Sequence, residues 1–217
     1  MITYTPQPGA GTADPYELGD PIINDTAGTV HRGFDPLTGR PVVVRLLRQR
    51  QRGPFAAGRL DAKLSPAAKL AHPNLVPLTT WGEVGGVPYL VSEDDGGRRL
   101  GERPPEDWRA AIDLLRGLAA GLDHAHSAGV VHGAVRPSAV VVSPQGTPRL
   151  SDFGTGSLVK EEPVTAAEDV VAFSGLARAL LEHVAGDRGL SPPVAAALAR
   201  GSAADSDGRY RGCGELV

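Results

Sequence analysis

The stretch from Gly129 to Gly154 constrains the fold of this 217-residue chain more than any other. After a helix-ending glycine comes a loop, His132–Ala139, and then two short segments, Val140–Val142 and Arg149-Leu150-Ser151, on either side of the turn signals Ser143-Pro144 and Gly146. Apolar segments that flank such turn residues predict a β-hairpin. The triplet Asp152-Phe153-Gly154 follows at once, so a loop, a hairpin and a carboxylate come in a fixed order.

This order resembles the catalytic loop, hairpin and magnesium loop of protein kinases, which read H-R-D-L-x-x-x-N and then D-F-G. The spacing agrees, but the residues that carry the chemistry differ. Ala134 stands at the position of the base aspartate and Ala139 at that of the metal-binding asparagine, while Arg136 replaces the catalytic-loop lysine. Alanine can neither accept a proton nor ligate a metal ion. The resemblance therefore implies a kinase fold with an emptied catalytic loop, in which Asp152 is retained.

The segment Ile23–Val30 corresponds to the phosphate loop of that family, G-x-G-x-x-G-x-V. Only Gly28 and Val30 match this pattern. Glycine lets backbone N–H groups approach phosphates closely, so the side chains of Ile23 and Asp25 obstruct the approach, and Asp25 adds a negative charge. The alternative role for Gly28 is a turn between two strands. The strands predicted here are Tyr16–Asp20 and Gly28–Phe34, joined by Pro21–Ala27.

Two further positions near the N-terminus depart from the family. In the predicted strand Val42–Leu47, Arg45 stands where V-A-I-K has lysine, and its planar fork makes the exchange non-conservative. An exposed strand arginine is the alternative interpretation. Lys63 falls on the glutamate position of the regulatory helix and would repel Arg45, so the ion pair required for activity is absent unless Asp61 substitutes. Ser65-Pro66 predicts a helix that restarts at Pro66, which makes the regulatory helix short or broken.

The resemblance also implies a degenerate nucleotide cleft. Its residues would be Val30, Val43, Arg45, Glu93, Asp95 and Asp152. Apolar contacts and the hinge Ser92–Asp95 would preserve an adenine pocket. Asp152 would ligate Mg²⁺ only together with a nucleotide. No cofactor is expected, and weak ATP binding, with or without Mg²⁺, stays open as an alternative.

Amphipathic patterns predict helices in the second half of the chain, the clearest being Pro105–Ser127. Asp169 near the start of a later helix would accept hydrogen bonds from the loop backbone, or would simply be a helix N-terminal carboxylate. His124, His126 and His132 have no nearby cysteine and no metal-ligand spacing, so they are predicted to be structural. By the resemblance, His132 would brace the loop.

The segment Thr155–Ala167 is short for a kinase activation segment and contains no A-P-E element. The face of the large lobe that it leaves uncovered is the candidate surface for a protein partner. Ser191-Pro192-Pro193 predicts the start of a helix that ends at Arg200. Asp205–Tyr210 resembles the closing D-P-x-x-R-Y, where Arg209 would lack its A-P-E glutamate. Val217 falls within the expected last helix, so the chain is expected to continue.

Composition excludes several classes of protein. The chain is 41% hydrophobic and 22% charged, as in ordinary globular domains, and its net charge of −3 does not indicate a nucleic-acid partner. The single cysteine, Cys213, allows no disulfide within the chain. No apolar run approaches the roughly 18 residues that span a bilayer, and the N-terminus has no signal-peptide pattern. The motif Thr38-Gly39-Arg40 before the Arg45 strand resembles bacterial, actinobacterial-type serine/threonine kinases.

These features predict an α+β, protein kinase-like two-lobe fold with a truncated helical C-lobe. The predicted boundaries are a flexible tail over 1–14, an N-lobe over 15–95 and a shortened C-lobe over 96–217. By resemblance the function would be that of a pseudokinase, an inactive regulatory or protein-interaction module in a bacterial cytoplasm, alone or as part of a longer membrane protein. The alternatives are a weak or atypical serine/threonine kinase that binds ATP, and a nucleotide sensor without catalysis.

Overall fold

The computed structural model of this chain describes residues 12–13, 15–48, 57–159, 163–203 and 210–217. Within these ranges the chain forms a larger and a smaller β-sheet together with a set of helices. None of the helices in the described ranges has the length and apolar character needed to span a membrane. Residues 205–209 of the predicted closing motif, Arg209 among them, lie outside the described residues.

The N-terminal half is an antiparallel sheet with six strands in the spatial order β1-β2-β3-β4-β6-β5. The strands are β1 (Thr12–Ala13), β2 (Tyr16–Asp25), β3 (Gly28–Asp35), β4 (Arg40–Leu47), β5 (Thr80–Val84) and β6 (Val87–Glu93). Alternate residues of β4, Val42 and Val44, are buried against Tyr16, Leu18 and Tyr89 on one face. Arg45 is on the other face of β4, since successive side chains of a strand point to opposite sides.

The predicted loop Pro21–Ala27 is wrong, because β2 continues to Asp25. Register shifts occur on both sides of Pro21, which has no N–H to donate to the sheet. Asp25 pairs with Gly28, so the connection between the strands is a tight turn. Gly28 has a φ of 141°, and a Cβ there would collide with the carbonyl oxygen of Leu46. Gly28 thus serves the strand turn, and the turn fixes the position of Asp25.

Helix α1 (Ala57–Ala68) packs on this sheet through Leu60 and Leu64. The helix is continuous through Pro66, so the predicted restart there is wrong. Pro66 lies in the last turn, where its missing N–H removes a single intrahelical hydrogen bond shortly before the helix ends.

In its described residues the C-terminal half contains a three-stranded sheet, with β8 between its two neighbours, and four α-helices. The strands are β7 (Arg98–Arg99), β8 (Val140–Val142) and β9 (Pro148–Leu150); the helices are α2 (Trp108–Ser127), α3 (Thr155–Val159), α4 (Ala166–Ala185) and α5 (Pro192–Gly201). The predicted hairpin and the helix to Arg200 are confirmed. Helix α2 begins at Trp108 rather than Pro105, because the Asp107 side chain caps it by accepting from the Ala110 N–H.

The main hydrophobic core lies beneath the loop His132–Ala139. Its fully buried members from α2, α4 and β9 include Leu115, Leu118, Leu122, Phe173, Ala177 and Leu150. This core anchors the end of α2 and the end of β9, so both ends of the segment from Gly129 to Gly154 are held in place.

Candidate functional site

Four charged side chains meet between the six-stranded sheet and the loop after α2, and we call them the charge cluster: Asp25, Arg45, Arg136 and Asp152. Arg45 Nη1 lies 3.1 Å from Asp25 Oδ1, and its Nη2 lies 2.7 Å from Asp152 Oδ2. Arg136 Nε lies 3.0 Å from Asp25 Oδ2, and its Nη2 lies 3.0 Å from Asp152 Oδ2. Each guanidinium group therefore bridges the same two carboxylates.

The charge cluster is largely shielded from solvent. The Arg45 side chain is only 2% exposed, and that of Asp152 is 9% exposed. The alternative interpretation of Arg45 as an exposed strand arginine is therefore wrong. A buried charge is tolerated when it is paired and hydrogen-bonded, and here two positive groups face two negative ones. Removing any one of the four would leave a buried charge uncompensated.

The arginines keep both carboxylates ionised. Burial by itself would raise the pKa of Asp25, but the charges of Arg45 and Arg136 and hydrogen bonds from Arg45 and the Ala27 N–H lower it to about 2. Burial likewise opposes ionisation of Asp152, and the same two arginines hold the pKa of Asp152 below its ordinary value. At neutral pH the cluster is thus a closed network of ion pairs.

Asp25 and Arg136 are further tied to the backbone and to a hydroxyl group. Ser138 Oγ donates to Asp25 Oδ2 over 3.1 Å, and the Ala27 N–H donates to Asp25 Oδ1 over 2.9 Å. Arg136 Nη1 donates to the Ala134 carbonyl oxygen over 2.7 Å. Neither Ser138 nor the contact of Asp25 with the loop was predicted from the sequence. The signal in the sequence was that an acidic residue at 25 and arginines at 45 and 136 all depart from the kinase pattern, and their opposite charges could have indicated a contact.

Beside the charge cluster lies a cavity of about 70 Å³ between the two halves of the chain. Its lining includes five of the six residues predicted for the nucleotide cleft: Val43, Arg45, Glu93, Asp95 and Asp152. The sixth, Val30, pairs with Arg45 in the sheet but is fully buried and outside this lining. The volume is well below the ~300–1,000 Å³ typical of small-molecule pockets.

The predicted repulsion between Lys63 and Arg45 is avoided because Lys63 turns away. The Lys63 ammonium group donates to the Ser157 carbonyl oxygen of α3. Asp61 does not substitute for the helix glutamate, since its Oδ1 accepts from Trp81 Nε1 over 2.8 Å. Arg45 instead takes its carboxylate partners from the β2–β3 turn and from the residue after the hairpin.

A second buried network surrounds Asp169 of α4. Its two oxygens accept from the His132 N–H over 2.8 Å and from the Gly133 N–H over 2.7 Å. His126 Nε2 lies 2.9 Å from the same carboxylate. The predicted role of Asp169 as an acceptor for the loop backbone is confirmed. Helix α4 begins earlier than expected, at Ala166, because Thr165 caps it.

His132 braces the loop as predicted. Its Nδ1 accepts from the Ala134 N–H over 3.2 Å, which places the ring proton on Nε2, and Nε2 donates to the Ser151 carbonyl oxygen over 2.8 Å. Burial lowers the pKa of His132, so the ring is neutral at physiological pH. The ring of His124 stacks on that of His72 at 5.1 Å. In the described ranges no three His, Cys, Asp or Glu side chains are grouped so as to hold a metal ion.

Ala139 and Ala134 stand at the two loop positions where the kinase pattern has catalytic side chains. Ala139 is fully buried, and its carbonyl oxygen accepts from the Ser151 N–H over 2.8 Å. Ala134 presents only its backbone to Arg136 and His132. The backbone of the loop His132–Ala139 is therefore held by hydrogen bonds, while the loop contributes no carboxylate and no amide side chain.

Comparison with known proteins identifies the fold and the relatives. No protein-family model matches the chain. The crystal structure of the Mycobacterium tuberculosis PknI kinase domain superposes with a TM-score of 0.73 over 97% of this chain and 96% of that one, at 21% identity. At that identity the likeness concerns the fold. It confirms the predicted α+β kinase-like architecture with a sheet N-lobe and a shortened helical C-lobe.

The sequence relatives are bacterial enzymes. The serine/threonine-protein kinase PknL of Mycobacterium tuberculosis is 33% identical over 173 residues, which cover 72% of this chain and 43% of that protein. The probable serine/threonine-protein kinase PknB of Lactococcus lactis is 30% identical over 159 residues, which cover 70% of this chain and 25% of that protein. The chain thus spans less than half the length of these curated relatives. With its fold and its sequence relatives in agreement, this chain belongs to the protein kinase superfamily.

Proposed function

We propose that this chain is a catalytically inactive protein kinase-like domain that acts as a regulatory or protein-interaction module. The observation that carries the proposal is the position of Asp152, the one retained member of the catalytic set. Its Oδ2 lies 2.7 Å from Arg45 Nη2 and 3.0 Å from Arg136 Nη2, so its charge is already neutralised by two side chains of the same protein.

The residues present do not fit a magnesium ion. Mg²⁺ requires oxygen ligands in near-octahedral geometry at about 2.0–2.1 Å. Asp152 would have to give up both guanidinium partners, and the second ligand position is Ala139, which offers no side-chain oxygen. Two arginines beside the carboxylate would also repel the cation. No step of phosphoryl transfer can therefore be assigned to a metal ion held here.

Activation of a nucleophile has no support either. Phosphoryl transfer depends on positioning and on neutralisation of charge, with a residue that orients or deprotonates the attacking hydroxyl. Ala134 cannot do this, and Arg136, whose side chain contacts Ala134, is a permanent cation that donates to the Ala134 carbonyl. The fold keeps a loop that hydrogen bonds hold in place and a cleft whose charged groups are already paired. This arrangement suits binding better than catalytic turnover.

The direct test is incubation of the full chain with labelled ATP and either Mg²⁺ or Mn²⁺, with generic protein substrates and an active serine/threonine kinase as positive control. We expect no label on the chain or on any substrate. The matched variant is Asp152→Ala, which removes the retained carboxylate. Label that appears with the unaltered chain and disappears with Asp152→Ala would establish the alternative, a weak or atypical kinase.

A second test asks whether the lost residues alone explain the inactivity. The combined variant Ala134→Asp, Ala139→Asn, Arg45→Lys and Lys63→Glu restores the base, metal ligand, lysine and helix glutamate. We expect it still to fail with protein substrates, because the short segment Thr155–Ala167 does not provide an activation loop and a docking surface. Robust transfer by this variant would contradict both the argument from the short segment and the interaction role.

A further inference from the structure

We propose that His72 and His124 form a pH-sensitive contact between the two halves of the chain, and that protonation of this pair releases the segment His72–Val76. We call this segment the junction segment. It follows α1 and leads toward β5 of the larger sheet. The proposal goes beyond the proposed function, which requires no dependence on pH. The change that it describes is a local opening of the junction segment, while the rest of the chain stays folded.

The two histidine rings lie against each other, one from each half of the chain. The ring of His72 stacks on that of His124 of α2, with 5.1 Å between the ring centroids and 27° between the ring planes. His72 Nδ1 accepts from the Asn74 N–H over 3.1 Å, so this nitrogen carries no proton in the closed form. Protonation of both rings would bring two positive charges together. It would also turn the Nδ1 acceptor into a donor that faces the Asn74 N–H.

The junction segment is bound to the hairpin of the C-terminal half. The Val76 N–H donates to the Leu150 carbonyl oxygen over 2.8 Å, and the Leu150 N–H donates to the Asn74 carbonyl oxygen over 2.9 Å. Asn74 Nδ2 donates to the Pro148 carbonyl oxygen over 2.8 Å. A loss of the His72 contact next to Asn74 therefore acts directly on the hydrogen bonds that join the two halves.

Helix α2 packs closely against the same segment. A Cβ at Gly117 would collide with the side chain of Asn74, and a Cβ at Gly121 would collide with Leu75. At such a close approach there is little free space between the helix and the junction segment. Repulsion between the rings of His72 and His124 therefore pushes the segment away from the helix on which it is packed.

The surroundings of His72 oppose its protonation. Burial and the neighbouring His124 both lower the pKa of His72 below its ordinary value of 6.5. The other titratable groups beside His124 on α2 have partners elsewhere: Asp123 accepts from the backbone of the C-terminal turn, and His126 contacts Asp169. Neither carboxylate is thus available to pair with a protonated His72.

The direction of the pH effect follows from the lowered pKa of His72. Below pH 6.5 an open junction segment, in which the His72 ring is exposed to water, binds protons more readily than the closed one. The advantage of the closed form is therefore complete above about pH 6.5 and is lost as the pH falls through the pKa of His72 in the folded chain.

The test measures amide hydrogen exchange by NMR in the full chain at pH 7.5 and pH 5.0, corrected for the effect of pH on the intrinsic exchange rate. The reporters are the N–H groups of Leu75, Val76 and Leu150, which donate to the junction segment or from it. The reference is Ala177 in the buried core of α4. Between the two pH values we expect the protection of the reporters to fall at least threefold more than that of Ala177.

Two variants remove the charge and keep the shape. His72→Asn retains an acceptor for the Asn74 N–H and does not titrate, so the excess loss of protection at pH 5.0 should disappear. His124→Phe retains a ring without a charge, so the pKa of His72, followed by NMR, should rise and the excess loss should shrink. The matched control is His183→Gln, which removes an exposed histidine of α4 and should behave like the unaltered chain.

An equal loss of protection at the reporters and at Ala177 would overturn the proposal, because it would indicate global unfolding. An excess loss that survives His72→Asn would also overturn it. Should His72→Asn not fold, the NMR titration of the unaltered chain decides: a pKa of His72 at or above 6.5 would refute the proposal, and a lower one that coincides with the onset of reporter exchange would support it. Label transfer from ATP would instead refute the proposed function and leave these results standing.

Discussion

Two buried aspartates, Asp169 and Asp152, hold opposite ends of the segment from Gly129 to Gly154, and they differ in what they bind. Asp169 accepts from the backbone N–H groups of His132 and Gly133. Asp152 accepts from the side chains of Arg45 and Arg136. Asp169 thus keeps the role that the kinase resemblance implies for it, whereas Asp152 binds arginines in place of the expected metal ion.

The difference lies in the kind of donor. A backbone N–H is supplied by any residue except proline, so the Asp169 network does not depend on the side chains of its donors, although Gly133 has a φ of 69° that favours glycine. A guanidinium group is supplied only by arginine, so the Asp152 network depends on the residues at 45 and 136. The hydrogen bonds that hold a catalytic loop in place can therefore persist after the catalytic side chains of that loop have been replaced.

The largest effect is expected for Asp169→Ala. It removes the acceptor of two buried N–H groups and of His126, and each orphaned donor costs ~1–3 kcal/mol. We expect the free energy of unfolding in urea to fall by about 3–5 kcal/mol. Glu182→Ala, an exposed acid on the same helix, should change it by less than about 0.5 kcal/mol. A loss below about 1 kcal/mol for Asp169→Ala would show that the loop does not depend on this brace.

Next in size is Arg45→Met, which preserves much of the apolar length of the side chain and removes its charge. Asp25 and Asp152 would then share Arg136 alone, and we expect a loss of about 2–4 kcal/mol in the free energy of unfolding at pH 7. Arg45→Lys keeps the charge without the fork and should lose less. Equal or greater stability of Arg45→Met would mean that the charge cluster contributes no net stability.

The stability that the charge cluster contributes should depend on pH through Asp25. The pKa of Asp25 is about 2 in the folded chain, against an ordinary value of 3.8. Because the folded-state pKa is depressed, the stabilising contribution is complete above about pH 3.8 and is lost as the pH falls toward about 2. Urea denaturation at several pH values in this window should give a shallower decline for Asp25→Asn than for the unaltered chain or Asp20→Asn. Parallel declines would place the acid-sensitive group elsewhere.

The smallest effect is expected for Arg40→Gln. Arg40 and Glu93 form an ion pair at 3.0 Å, the same distance as Arg136 and Asp25, but their side chains are 68% and 66% exposed. Exposed pairs contribute ~0–1 kcal/mol and are screened by salt. We expect a change of about 0.5 kcal/mol or less in the free energy of unfolding. A larger loss would indicate that distance, rather than burial, determines the strength of these pairs.

The features that were predicted correctly from the sequence are those that local patterns determine. The helix before Gly129, the hairpin before Asp152 and the acceptor role of Asp169 all follow from short motifs in a recognisable order. The continuation of β2 through Pro21 was not predictable, because its pairing with β3 overrides the local signal.

The candidate site was predicted in part. Asp25 was predicted to obstruct a phosphate loop and Arg45 to replace a lysine, but the contact between the two side chains does not follow from local sequence. Contacts between residues distant in sequence are set by the packing of whole elements. For the same reason the attachment of Lys63 to α3 emerged only from the structure.

The contact between Asp25 and Arg136 joins residues 111 positions apart in the sequence. Non-local contacts of this kind form late in folding, because the large loop between them must first be closed. The charge cluster therefore requires that the sheet with Asp25 and the loop with Arg136 are both already folded. In thermodynamic terms it couples the two halves of the molecule, because neither half can unfold without breaking it.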